Sequence, residues 1–270
     1  MLAGLSPARR RLVLGLLAAL VAAALAVTAA LVVPRLTGDD PAPVSQSDLG
    51  PVLLVPGYGG STQSLRPLAA RLQAAGRDAE VVAVPGDGTG DLRASATALD
   101  RAVDAALDRS RAGAVDVVGY SAGGVIARLW AKDDGGAARA RRIVTLGSPH
   151  HGTTIADLAG SLVPGECPEG CQQLATDSPL LAQLNTGDET PAGPSWVSIW
   201  STSDQTVTPP DSARLAGAVD IPVQSVCADS RVAHGDLPSD ALVQAMVLAE
   251  LATGPPVPLD AGDCTRLRAG

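Results

Sequence analysis

Phenylalanine is absent from this 270-residue chain, and three tryptophans and two tyrosines are its only aromatic residues besides histidine. A core must therefore be aliphatic. Lys132 is the sole lysine, so arginine supplies nearly all the positive charge, and the formal net charge of −8 argues against nucleic acid as a partner. Histidine is scarce: His150, His151 and His234 are the three candidates for any chemistry that needs an imidazole base. The four cysteines all lie beyond residue 166, and no histidine sits at ligand spacing beside them. That disfavours a zinc site, and neither metal nor organic cofactor is expected.

Charge is also missing from residues 12–33, which follow Arg9, Arg10 and Arg11. About 22 apolar residues suffice to span a bilayer as a helix. Positive-inside logic puts the arginines in the cytoplasm and everything after Pro34 outside. The apolar region of a secretory signal is shorter, roughly 7–15 residues. The expectation is thus an uncleaved membrane anchor with the remainder of the chain extracellular. Small residues around Ala24, Leu25 and Ala26 leave cleavage and secretion as the alternative. The expected organisation is an anchor or signal over residues 1–34, a polar linker over 35–50 and a folded domain over 51–270, acting as a monomer. An even number of cysteines outside the cytoplasm favours disulfides. Proximity pairs Cys167 with Cys171 and Cys227 with Cys264, although four cysteines allow three pairings.

Apolar runs at about 51–56, 79–84, 115–120, 142–147, 196–201 and 222–226 read as strands. Segments 65–75, 92–107 and 240–253 read as helices, the first carrying Leu65, Leu68, Ala69 and Leu72 on one side. This alternation predicts an α/β fold: a mainly parallel six-stranded sheet flanked by helices, preceded by the amino-terminal hydrophobic helix. Its site belongs at the carboxyl ends of the strands. An insertion over about 154–194, with a short helix at 179–184, falls above that edge and predicts a rim or small lid.

Gly119-Tyr120-Ser121-Ala122-Gly123 joins the strand-like run 114–118 to the helix-like run 125–131. Strand, Gly-x-Ser-x-Gly, helix is the setting of a nucleophile elbow, in which small residues let strand and helix approach while the serine is pushed into the open. In chain order the acid and then the histidine follow such a serine. His234, on a loop with Gly235 and Pro238, is the candidate base. Asp204 is the candidate acid, opening a loop after the run 196–201, with Asp211 and Asp229 as alternatives. The N–H of Ala122 and that of Tyr58, after Pro56-Gly57, are the candidate oxyanion donors. His150 and His151 come too early to be the base and either line the mouth or hold its loop in shape. Leu158, Leu162, Val163 and Leu180 of the insertion are the candidate apolar contacts for a substrate.

The stretches PVLLVPGYGG, VDVVGYSAGG, RRIVTLGSPHHGT, SIWSTSDQTVTP and VAHGDLPSD, over about 51–253, together resemble the α/β-hydrolase superfamily. Within it they are similar to small secreted lipases and esterases of actinobacterial and bacillus type. The resemblance implies Ser121 as nucleophile, Asp204 as acid, His234 as base and Tyr58 and Ala122 as oxyanion donors, acting on a lipid or small ester. One departure is Pro56 where the family usually has histidine, which removes a hydrogen-bonding side chain and stiffens the loop. The same apparatus suits an envelope-lipid acyltransferase or a peptidase. A non-catalytic anchored binding protein is the reading outside enzymes.

Overall fold

The computed structural model describes residues 44–270 except Val163, together with Leu16, Val21 and Ala23 of the amino-terminal stretch. Those three positions are helical; the rest of the expected span at 12–33 lies outside the described residues. Among the described residues no helix is long and apolar enough to cross a membrane. The chain divides into Met1–Asp40 and Pro41–Gly270, and the fold below is that of the second unit.

Six strands, β1 (Val52–Val55), β2 (Ala79–Val81), β3 (Val115–Tyr120), β4 (Ala140–Leu146), β5 (Ser195–Trp200) and β6 (Val219–Pro222), form one sheet in the order β2-β1-β3-β4-β5-β6. Every pairing is parallel. Helices α1 (Arg66–Ala74), α2 (Leu92–Ser110), α3 (Ala122–Asp133), α4 (Thr154–Leu162), α5 (Glu169–Gln172), α6 (Pro179–Leu184), α7 (Val223–Val226), α8 (Ala241–Glu250) and α9 (Cys264–Arg268) connect and cover it. Alternate strand residues face opposite layers. Val52, Leu54, Val118 and Ile199 pack under α1 and α8, whereas Leu53, Val55, Val117 and Ile143 pack under α2 and α3. Burial on both faces is why the strands read as apolar runs rather than as alternation.

Residues 222–226 are expected as a strand but fold otherwise. β6 ends at Pro222, whose ring offers no N–H to a ladder, and the next four residues turn into α7. The cysteines pair as proximity suggests, Cys167 with Cys171 and Cys227 with Cys264; the latter ties α9 to the end of α7.

The end of the sheet away from the strand carboxyl termini holds a buried charged network. Arg141 and Arg142 are β4 residues with almost no exposure. The Arg141 guanidinium donates to both oxygens of Asp116, at 2.8 and 2.6 Å, and Arg77 Nη2 donates to the same carboxylate at 2.6 Å. Arg142 donates to the backbone carbonyls of Glu250 and Gly254 and, at 2.8 Å, to Gln46 Oε1. The cations thus satisfy the last carbonyls of α8 and oppose its dipole. Gln46, within the expected linker, is bound into the base of the domain.

Beside this network, burial pushes the Glu250 carboxyl up to about 7 from an ordinary 4.5, against the favourable pull of Val257 N–H and Arg142. The folded state then holds a proton that the unfolded state has released, so stability falls as pH rises from about 4.5 to about 7 and levels off above. Glu250→Gln is expected to melt at the same temperature as the parent near pH 4.5. Above pH 7 it should be more stable by up to about 3 kcal/mol. Thermal melts at pH 4.5, 6 and 8 check this, and a substitution effect that does not change with pH contradicts it.

Candidate active site

Ser121 sits between β3 and α3 with φ 55° and ψ −124°. Such a backbone is strained for a residue with a Cβ, and it lifts the side chain out of the strand and helix on either side. The flanking glycines have steric reasons. A Cβ on Gly119 would lie 2.5 Å from Gly123 O and from Gly124 Cα, and one on Gly123 would lie 2.2 Å from Val55 O. Both are positions where backbone must touch backbone. Ser121 N–H donates to Leu146 O at 2.8 Å, which fixes the elbow to β4.

The carboxyl ends of β5 and the loop after α7 bring Asp204 and His234 to this serine. His234 Nε2 is 3.0 Å from Ser121 Oγ, and His234 Nδ1 is 2.7 Å from Asp204 Oδ2. Asp204 Oδ1 accepts the N–H groups of Thr206 and Val207, each at 2.8 Å. With a carboxylate facing it, Nδ1 carries the proton of a neutral imidazole, which leaves the Nε2 lone pair facing the serine hydroxyl. Both Asp204 and His234 are buried. The alternative acids lie elsewhere: Asp211 is exposed, and Asp229 pairs at the surface with Arg268 at 2.7 Å, a contact that lowers its carboxyl below the ordinary range.

Beside Ser121, neither Tyr58 N–H nor Ala122 N–H has an acceptor among the described residues. Gly57 brings the first strand's loop against the serine, since a Cβ there would be 3.0 Å from Ser121 Cβ. That loop is braced from behind by residues 85–90, a contribution that sequence reasoning missed. Gly59 N–H donates to Gly88 O at 3.1 Å, and a Cβ on Gly88 would be 2.3 Å from Gly60 N. The composition Pro85-Gly86-Asp87-Gly88 signals a turn but not what it packs against.

A second missed residue is Gly147, with φ 54°. A Cβ there would approach Asp204 Oδ2 to 3.2 Å and His234 Nδ1 to 3.4 Å, so only glycine leaves room beneath the pair. The turn it opens also braces the loop after Asp204: Thr153 Oγ1 donates to Thr206 O at 2.7 Å and accepts Thr208 N–H at 3.1 Å.

The expected substrate contacts divide. His150 is fully buried and does not line the mouth; its Nε2 meets Thr145 Oγ1 at 3.1 Å, so it holds the loop. Burial, with the Arg128 guanidinium near, keeps its imidazole well below the ordinary value and therefore neutral. His151 is exposed and bridges Glu189 Oε1 at 3.0 Å and Ser212 O at 3.2 Å. Leu180 is no rim residue: it is 4% exposed, in the aliphatic layer with Leu129 and Leu184. Its place on α6, against α3, turns it inward. Leu158 and Leu162 do stand open on α4, at 52% and 74% exposure, and Ile155 joins them at 46%. Val163 lies outside the described residues. The start of α4 adjoins the Asp204 loop, Thr154 N–H donating to Thr208 O at 2.9 Å.

A family model described as alpha/beta hydrolase fold matches residues 50–168. Among solved structures the chain is similar to Aspergillus fumigatus lipase B, with 20% identity and a TM-score of 0.65 over 82% of this chain and 61% of that one. It thus spans about three-fifths of the fungal protein. The mature Bacillus licheniformis lipase BlEst2 aligns with 17% identity and a TM-score of 0.63, covering 78% of this chain and 94% of that one. A Listeria innocua protein aligns with 16% identity and a TM-score of 0.54, over 78% and 98%. A search of curated protein sequences returns no match. At these identities the structural likeness concerns the fold.

Proposed function

We propose that this chain, with its α/β-hydrolase fold, is an extracytoplasmic serine hydrolase of carboxylic esters, acting on lipids or small esters through an acyl-enzyme. The observation that carries this reading is the chain of contacts from Ser121 Oγ through both nitrogens of His234 to Asp204, at 3.0 and 2.7 Å, beside two free backbone N–H groups. His234 takes the proton of Ser121 as Oγ attacks the ester carbonyl. Tyr58 N–H and Ala122 N–H receive the charge that develops on the carbonyl oxygen. The alcohol leaves with the proton from His234, and water, deprotonated by the same imidazole, releases the acid. The names of two structural relatives, both lipases, agree with an ester as substrate.

Ile155, Leu158 and Leu162 offer an exposed apolar stripe on α4 next to the site, suited to an acyl chain. The expected location follows from residues 1–34, as an anchor in the cell membrane or as a cleaved signal, with the hydrolase domain outside and monomeric.

A p-nitrophenyl ester series tests the reading on the full chain. Turnover should yield the free acid, and kcat/KM should rise from acetyl to octanoyl by roughly two- to threefold per methylene, somewhat less than full burial of a CH₂ would give. An added alcohol acceptor separates hydrolysis from acyl transfer. If the folded chain turns over no ester, or passes the acyl group to the alcohol alone, ester hydrolysis is the wrong reading.

A further inference from the structure

Tyr120 is a large, buried polar side chain at the centre of the site that the proposed reaction leaves without a task. It ends β3, so Ser121 follows it directly, and its ring lies in the aliphatic layer with Leu146, Ile199 and Leu237. Its hydroxyl donates to the backbone carbonyl of His234 at 3.1 Å, and the two rings are 5.2 Å apart at 34°. Leu237 N–H donates to the same carbonyl at 3.2 Å, so that oxygen is held from two directions. A Cβ on Gly57 would lie 3.4 Å from the ring's Cδ1, which seats the loop of Tyr58 N–H on the same side chain.

We propose, on the reading of Ser121, His234 and Asp204 given above, that Tyr120 is a positioning residue for acyl transfer, its hydroxyl setting the place of His234 over Ser121 and its ring seating the oxyanion loop. His234 stands on a single short turn, His234–Asp236, within a long loop. Asp204 holds the far end of its side chain; Tyr120 holds its backbone. Two tethers at opposite ends of one residue define where Nε2 lies, whereas either alone leaves a pivot. Displacement of a general base by a fraction of an ångström is costly in rate and scarcely affects substrate binding. Burial, helped by the charges of Asp204 and Asp236, pushes the phenol up to about 12, so it remains a donor at neutral pH.

The test is Tyr120→Phe in the full chain, with Tyr120→Leu beside it. The phenylalanine variant keeps the ring and loses the tether. Its kcat on a p-nitrophenyl ester should fall about tenfold with KM within about twofold, the size of a lost hydrogen bond expressed in rate. Its rate of Ser121 phosphonylation by a p-nitrophenyl phosphonate should fall by the same factor. The leucine variant should lose more, because the seat of the oxyanion loop goes as well. Rates are taken per phosphonate-titrated site, so a smaller folded fraction does not count as a slower enzyme. An unchanged kcat with a lower melting temperature would show a structural role alone and overturn the proposal. A raised KM at constant kcat would overturn it too, since it would place the hydroxyl on the substrate. Wild-type chain inert to both ester and phosphonate defeats the underlying reading, and the assignment of Tyr120 goes with it.

Discussion

Ser121→Ala is expected to lower kcat by about 10⁵–10⁶ while leaving the fold as it is. The hydroxyl is the one atom that forms the acyl bond in the proposed reaction, and the oxyanion donors and binding surfaces that remain support only a small residual rate. Stability should hardly change. Among the described residues Oγ hydrogen-bonds only with His234 Nε2, while the elbow is fixed by backbone: Ser121 N–H to Leu146 O, and Gly124 N–H to Ser121 O at 3.0 Å. Alanine keeps the Cβ, and hence the strain of φ 55°, so the variant gains nothing. Ser121→Gly separates the two effects. It should be as inactive, yet more stable than Ser121→Ala by about 1 kcal/mol, because glycine accepts that backbone without cost. Ester hydrolysis and thermal melts on the three chains measure both. Residual turnover above about 1% in Ser121→Ala would mean that another group does the chemistry.

How legible such a site is depends on how local its causes are. The elbow can be read from five residues because Gly119 answers a contact within the strand-turn-helix unit itself, although Gly123 answers the Val55 carbonyl of β1. His234 is legible through scarcity, with two other histidines to compare. The order of strands along the chain is enough to place Asp204 at the carboxyl edge of the sheet. The causes that span the chain are the illegible ones. Gly147 is one glycine among 29, and its reason lies 57 and 87 residues away, in Asp204 and His234. His150 stands one position before His151, and nothing in the sequence says that the first is buried and the second exposed. The strand read at 142–147 starts on Arg142, and nothing in the sequence says that two adjacent arginines are buried there. They belong to β4 because Asp116, Gln46 and the end of α8 supply acceptors that only the assembled domain brings together. Pro222, by contrast, carries its own reason for ending β6 and is misread only when hydrophobicity is weighed above the missing N–H.

Asp204→Asn should cost about 10⁴ in kcat, with the fold again intact, because of the tautomer it imposes. The carboxylate has two different sides. Oδ1 takes the N–H groups of Thr206 and Val207, and Oδ2 takes His234 Nδ1. Asparagine has a single acceptor oxygen, and two backbone donors claim it at the Oδ1 position. Its NH₂ group must then face the imidazole as a donor. His234 can meet a donor at Nδ1 only with a bare lone pair, so its proton moves to Nε2, where it points at Ser121 Oγ and the base is blocked. The loop thereby decides the outcome: were Thr206 and Val207 N–H bound elsewhere, the amide could rotate and the substitution would be mild. Asp204→Ala should be the more damaging change to stability, since it leaves those N–H groups without their acceptor. The expected signature of Asp204→Asn is therefore a folded chain with normal melting, a ¹⁵N spectrum that places the His234 proton on Nε2, and hydrolysis reduced about 10⁴-fold. A variant that keeps the proton on Nδ1, or that stays within tenfold of the parent, would show that Asp204 does not set the state of the base.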